Sequence, residues 1–185
     1  MGRKTAALLI CSSAILCFTG CLQNDSSSDI SMTEIAAVET TESQQDISEA
    51  DEAVKRYLEA YISPYGGETV LRSILPYPES YFPEGFDAKW YERVTSRNRE
   101  AKIRAEEEGW KLVDFKRKEA LTQSQLKKVD DYLWRKYESY STALSGYVYE
   151  FTYNTRNGRQ TDELCAVKMS GIGWKIYDYF VSLLD

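Results

Sequence analysis

The amino-acid sequence predicts an α+β domain in which helices precede an antiparallel sheet and one further helix follows the first strand. Three observations predict this arrangement. Apolar residues recur at helical spacing before residue 76, side chains alternate over 110–121 and 147–181, and Asn157-Gly158 separates two alternating runs. Because the strands form one block after the first helices, the order is typical of α+β rather than α/β proteins.

Three helices are predicted before the sheet. Ser48, with acidic residues after it, favours a helix N-terminus, and Pro64 ends that helix. Its apolar residues lie at spacings of three, four and seven: Val54, Tyr57, Leu58, Tyr61 and Ile62. A second helix fits 68–75, and a third fits 87–108 with Gly109 at its end.

The predicted first strand, 110–121, is followed by a helix and then by the three remaining strands. Thr122 and Gln125 can cap this helix, which we expect to run to about Tyr140. Its inward stripe consists of Leu126, Val129, Leu133 and Tyr137.

Asn157-Gly158 predicts a two-residue type I′ hairpin turn, because both central residues of that turn need positive φ. Residue numbers of opposed pairs should then sum to 315. One sheet face would carry Tyr147, Tyr149, Phe151 and Tyr153 with Lys168, Ala166, Leu164 and Asp162. The other would carry Val148, Glu150 and Thr152 with Val167, Cys165 and Glu163. A second hairpin at 170–173 leads into 174–181, and a four-residue turn there would place Asp178 opposite Cys165.

The C-terminal two-thirds resembles a known family. The helix SQLKKVDDYLWRKY follows Leu121-Thr122 and precedes a Tyr-Val-x-x-x-Thr strand, and the chain ends with AVKMSGIGWKIYDY and a short tail. These features resemble small lipoproteins of Gram-positive bacteria that carry a domain like nuclear transport factor 2, the cystatin-like cone. Lys175 stands where an aromatic residue often follows the tryptophan. The resemblance covers about residues 48–183 and implies a curved four-stranded sheet wrapped over helices, a fold that hosts enzymes and binding modules alike.

The first twenty residues are typical of an export signal. Arg3 and Lys4 precede an apolar segment of 14 residues, which is short for a membrane span. Phe18-Thr19-Gly20-Cys21 resembles a bacterial lipobox, so Cys21 is the expected lipidation site. An uncleaved anchor or a plain secretory signal is the alternative. Two or more acyl chains would hold the protein stably on the outer face of the cell membrane.

Three domains of the chain are therefore expected: a signal peptide over 1–20, a lipidated and disordered acidic tether over 21–47, and the folded domain over 48–185. The tether prediction rests on residues 22–47, which hold six acidic residues, no Lys or Arg, and few large apolar groups.

Composition excludes several functions. Without Arg3 and Lys4 the mature chain has 21 basic and 29 acidic residues, a net charge of −8, so nucleic acid is a poor partner. The chain contains no histidine, which removes histidine-dependent nucleophilic catalysis and the usual zinc sites. We expect neither metal nor cofactor. Cys165 remains as the one cysteine besides Cys21 and is expected to be a small buried hydrophobe.

Three functions stay open for the folded domain. The first is a non-catalytic binding domain for a small ligand, with a pocket lined by aromatic residues: Tyr57, Tyr61, Tyr147, Tyr149, Phe151 and Trp174. The second is an interaction module whose sheet face meets a surface protein or a second copy. The third is an enzyme resembling ketosteroid isomerase, with Glu150 or Asp178 as the base and a tyrosine as donor. An enclosed cavity would favour the ligand, and an exposed apolar patch would favour the protein partner.

Overall fold

A computed structural model of the protein describes residues 32–82 and 87–177. Cys21, the export signal and Asp178 lie outside the described residues. Ten elements follow one another in the chain. The helical ones are α1 (Met32–Ile62), α2 (Gly67–Ile74), a 3₁₀ turn (Glu79–Tyr81), α3 (Ala88–Lys102) with a π-helical continuation (Ile103–Glu108), and α4 (Gln123–Tyr137). The strands are β1 (Lys111–Ala120), β2 (Ala143–Thr155), β3 (Gly158–Met169) and β4 (Gly173–Tyr177).

The four strands form one antiparallel sheet in the order β1-β2-β3-β4, with α4 inserted after the first strand. The predicted α+β class, with N-terminal helices on a four-stranded antiparallel sheet, is confirmed. Local sequence explains the helix ends. Asp87 accepts a hydrogen bond from the Trp90 N–H at the start of α3, and Thr122 and Gln125 form the predicted capping box of α4.

Helix α1 begins before the predicted start at Ser48, which lies exposed within the helix. Residues ahead of Ser48 are fastened to the sheet: Lys168 of β3 donates to Asp46 and lies 3.8 Å from Glu49. The disorder predicted as far as residue 47 therefore does not extend to Asp46. Ion pairs with a strand that follows far along the chain are invisible to local sequence patterns.

The β2–β3 hairpin has a different register from the predicted one. Tyr147 lies opposite Ala166, so paired numbers sum to 313, and the turn residues are Arg156 and Asn157. Gly158 has a φ of 117°, whereas both turn residues have negative φ, so a type I′ turn is excluded. Thr155 stabilises this alternative, because its Oγ1 accepts from the Asn157 N–H at 3.1 Å and donates to the Gly158 carbonyl.

The shift moves each partner by two residues, so every side chain keeps its predicted face. Helices α1 and α2 cover one face, packing residues that include Val54 and Val70 against Tyr149 and Leu164. Helix α4 covers part of the other face, packing Leu133 and its neighbours against a second cluster: Val148, Cys165, Val167 and Met169.

Strand β4 differs from the prediction by one residue. Three residues connect it to β3, with Gly171 and Gly173 at positive φ, and Tyr177 rather than Asp178 lies opposite Cys165. Lys175 consequently lies opposite Val167 and is only 3% exposed.

Candidate functional site

The predicted catalytic carboxylate does not face a closed pocket. Glu150 forms an ion pair at 2.7 Å with Lys116 on the neighbouring strand. The hydrogen bond from Lys116 lowers the pKa of Glu150, whereas a general base needs a pKa raised towards neutrality. Among the described residues, the partner of Glu150 is Lys116 and not a tyrosine, as the isomerase hypothesis would require.

Tyr149 and Phe151, two predicted pocket residues, lie in the core instead. The Tyr149 hydroxyl donates to Asp51 Oδ1 at 2.5 Å, and burial raises the pKa of Tyr149 far above its ordinary value. Tyr153 is similar: its hydroxyl donates to Asp162 at 3.0 Å, and burial raises its pKa to about 12. These pairs satisfy the polar ends of core tyrosines and anchor them.

Tyr147 and Trp174, two more predicted pocket residues, stack on each other with ring centres 5.9 Å apart. The Trp174 indole N–H donates to Glu49 of α1 at 3.3 Å, beside an open groove with mixed charges. Trp174 lines that groove, whereas Tyr147 does not.

Two other predicted pocket residues, Tyr57 and Tyr61, together line a second, less open cavity. They lie one turn apart on α1, with ring centres 5.6 Å apart. The cavity, here named the tyrosine cleft, has a volume of about 210 Å³. Its walls come from four helices and β4: Tyr57, Tyr61, Val70, Ile74, Arg97, Glu100, Arg104, Tyr132, Lys136, Tyr137, Ile176 and Tyr177.

Arg104 forms one wall of the tyrosine cleft. Its guanidinium carbon lies 3.8 Å from the centre of the Tyr61 ring, and its Nε and Nη2 donate to the Tyr61 carbonyl at 3.1 and 2.9 Å. That carbonyl is in the last turn of α1, where carbonyls lack helical partners, so Arg104 also caps α1. A guanidinium has five N–H groups and these bonds use two, which leaves three for a ligand.

Lys136 of α4 forms the opposite wall. Its ammonium lies 5.0 and 5.3 Å from the ring centres of Tyr132 and Tyr137, and it donates to the Tyr132 hydroxyl. That hydrogen bond raises the pKa of Lys136, so the side chain stays charged at neutral pH.

The charges in the tyrosine cleft are mainly positive. Arg97 is paired at 2.8 Å with Glu100, the one carboxylate among the described residues that line the cleft. In the described ranges, no acidic side chain lies within 4 Å of Arg104 or Lys136. Two cations without acidic partners, next to tyrosine rings and hydroxyls, can hold an anionic group through charge-assisted hydrogen bonds.

The part of the second sheet face that extends beyond α4 is polar. Cross-strand pairs join Lys116 to Glu150 and Lys118 to Glu163, and a threonine pair lies beside them. These residues do not form the apolar patch that would favour a protein partner or a second copy.

Cys165 is fully buried, as predicted, and burial raises the pKa of its thiol to about 12, which suits a packing role. The portion of the chain that the structure describes contains no cluster of three or more metal-binding side chains. Nor does any helix within these ranges have the length and apolar character to cross a bilayer. Comparison with protein-family models, curated proteins and solved structures found no match to this chain.

Sequence reasoning found two of the cleft residues, Tyr57 and Tyr61, and pointed to Tyr137 as inward-facing. It missed Arg104, Lys136 and Tyr132. The sequence signal of Arg104 and Lys136 is weak, because a cationic residue near a helix end is ordinarily exposed to solvent. Only the tertiary fold brings these residues, which lie on separate helices, around one cavity.

Proposed function

We propose that this protein is a lipoprotein anchored through Cys21 to the outer face of the cell membrane, and that its domain binds a small anionic ligand without catalysing a reaction. In this proposal the folded domain is a cone like that of nuclear transport factor 2. The tyrosine cleft is the binding site.

The observation that carries the ligand proposal is the position of two cations, Arg104 and the exposed Lys136, beside tyrosine rings at one partly open cavity. Arg104 and Lys136 face the cleft with donors left for an anion, and the rings around them offer apolar contact. The volume, about 210 Å³, is below the roughly 300–1,000 Å³ of drug-sized sites. The best-fitting ligand is therefore a small organic acid with one ring or a short apolar body.

The test is a stabilisation screen of the full chain, purified in a mild detergent, against small aromatic and aliphatic acids and their neutral amides. An acid at a hundred times its dissociation constant should raise the free energy of unfolding by about 2.7 kcal/mol. The matching amide, which lacks the negative charge, should give a much smaller change.

Arg104→Gln should weaken binding of the acid about tenfold or more, because it removes a charged donor. Arg99→Gln is the matched control, since Arg99 is exposed on the same helix and does not line the cleft. Equal affinity for acid and amide, or equal affinity of the two variants, would contradict the assignment of the cleft.

The anchor is tested separately. Cys21→Ala should move the protein from the membrane fraction to the soluble fraction, because the acyl chains supply the membrane affinity. Continued membrane association of that variant would exclude lipidation at Cys21 as the anchor.

A further inference from the structure

A second surface feature lies on the other side of Tyr137 from the tyrosine cleft. This feature is an open groove of about 400 Å³, here named the aromatic groove. It is lined by residues 76–78, 138–142, Ser170 and Ile172. Its lining comes from the segment after α2, the connection between α4 and β2, and the turn between β3 and β4.

An aromatic pair lies on each side of this groove, and one ring of each pair lines it: the half-buried Tyr77 and the exposed Tyr140. On one side Tyr77 stacks on Tyr81 with ring centres 4.2 Å apart, and Tyr81 is 64% exposed. On the other side Tyr140, 86% exposed, packs at 4.8 Å against Trp134, which is 47% exposed. Concentrations of large exposed aromatic rings on a soluble domain mark binding surfaces.

Polar groups of the aromatic groove are almost all uncharged. Hydroxyl side chains line it (Ser139, Ser141, Thr142 and Ser170), and Glu138 is the only charged residue in the part of the lining that the structure describes. Hydroxyls and backbone carbonyls can exchange hydrogen bonds with a ligand rich in hydroxyls. A single negative charge offers nothing to a phosphate or carboxylate ligand.

Hydrogen bonds within the protein hold the two walls of the aromatic groove together without a ligand. The Ser139 hydroxyl donates to the Pro76 carbonyl at 3.4 Å, and the Ser170 N–H donates to the Thr142 carbonyl at 2.9 Å. The edge of Tyr77 also contacts Tyr137 of α4, with ring planes 83° apart. Such ordering lowers the entropy cost of binding.

We propose that the aromatic groove binds an uncharged stretch of polysaccharide. A pyranose ring presents C–H groups on its faces, which pack on the electron-rich faces of aromatic rings, and hydroxyls at its edge. Rings exposed on both sides of a groove lined by hydroxyls match that combination. On a protein held at the cell surface, the groove would attach the domain to neighbouring glycan.

The test measures binding of the full chain, in mild detergent, to two uncharged oligosaccharides: a β-1,4-linked N-acetylglucosamine oligomer and a β-1,4-linked glucose oligomer. An oligomer of galacturonic acid is the charged probe. Isothermal titration should show binding of at least one uncharged oligomer and weaker binding of the acidic one. Tyr140→Ala should weaken binding of the uncharged oligomer about tenfold, since it removes a ring that lines the groove, and Tyr81→Ala should weaken it less, through loss of the ring that stacks on Tyr77.

Tyr65→Ala is the matched control, because Tyr65 is 89% exposed and lies outside the groove. It should bind like the wild type. Three results would each overturn the proposal: no binding of either uncharged oligomer, preference for the acidic oligomer, or equal loss in the Tyr65 variant. Self-association that Tyr140→Ala abolishes, without sugar binding, would instead assign the groove to contact between copies.

Discussion

Lys175 is a charged side chain in a position that disfavours charge. It lies on β4 with its Nζ donating to the Arg72 carbonyl at 2.8 Å and 5.6 Å from the centre of the Phe82 ring. Burial lowers its pKa from 10.5 to about 8; nearby Glu79 opposes this effect, whereas Arg56 and Arg72 add to it. We therefore expect the stability of the domain to depend on the protonation of this amine.

Whether stability rises or falls with pH depends on which state, folded or unfolded, holds the Lys175 proton more tightly. Between pH 8 and pH 10.5 the unfolded chain holds the Lys175 proton more tightly than the folded chain does. Unfolding then takes up a proton, so the contribution of Lys175 to the free energy of unfolding rises with pH across that window and is constant below it. Between about pH 7.5 and about pH 9.5, the lowered pKa of Lys175 would raise the free energy of unfolding by about 2 kcal/mol. Water in the open groove that Lys175 borders should weaken this effect, so the expected change is about 1 kcal/mol.

The assay is urea unfolding of the wild type and Lys175→Met, followed by far-ultraviolet circular dichroism at both pH values. The wild type should gain about 1 kcal/mol relative to the variant on going to the higher pH. Lys55→Met, at an exposed position on α1, controls for the loss of one positive charge. The same pH dependence in the wild type and Lys175→Met, or a relative loss of wild-type stability at the higher pH, would refute the reasoning.

Substitutions at two further positions test the packing and the helix start that hold the tyrosine cleft in place. Gly66→Ala should cost at least about 3 kcal/mol in urea unfolding, because the added Cβ would lie 2.0 Å from the Ala60 carbonyl oxygen; an unchanged midpoint would contradict the α1–α2 contact. Thr122→Ala should cost about 1 kcal/mol through loss of its capping bond to Gln125, whereas Thr122→Ser should restore most of it, and equal stability of the two would exclude the cap.

Local patterns predicted the elements well, because each element has its own signal in the chain. The capping box at Thr122 and the apolar stripe of α4 are examples. Alternation predicted the sheet faces even though the hairpin register was wrong, since a displacement of two residues preserves the face. The predicted turn type was wrong. The hydrogen bond to Thr155 and the positive φ of Gly158 stabilise a different turn from the type I′ turn that Asn157-Gly158 favours.

The candidate site was only partly predictable, for a reason that Lys175 and Arg104 share. The environment of Lys175 depends on the length of the β3–β4 turn, because one residue more would place Lys175 on the other sheet face. The position of Arg104 depends on how the end of α3 meets the last turn of α1, 43 residues earlier in the chain. Neither quantity is contained in the local sequence.

The π-helical segment at the end of α3 determines which way Arg104 points. A π-helical turn holds one more residue than the same length of α-helix, which makes the segment equivalent to a single-residue insertion. Removing one residue between Lys102 and Arg104 would let the α-helix continue and rotate the guanidinium about 100° around the helix axis. The cation that caps α1 and lines the tyrosine cleft would then be lost without any substitution of Arg104. In an alignment of related chains, a gap of one residue here would mark proteins with a different cleft.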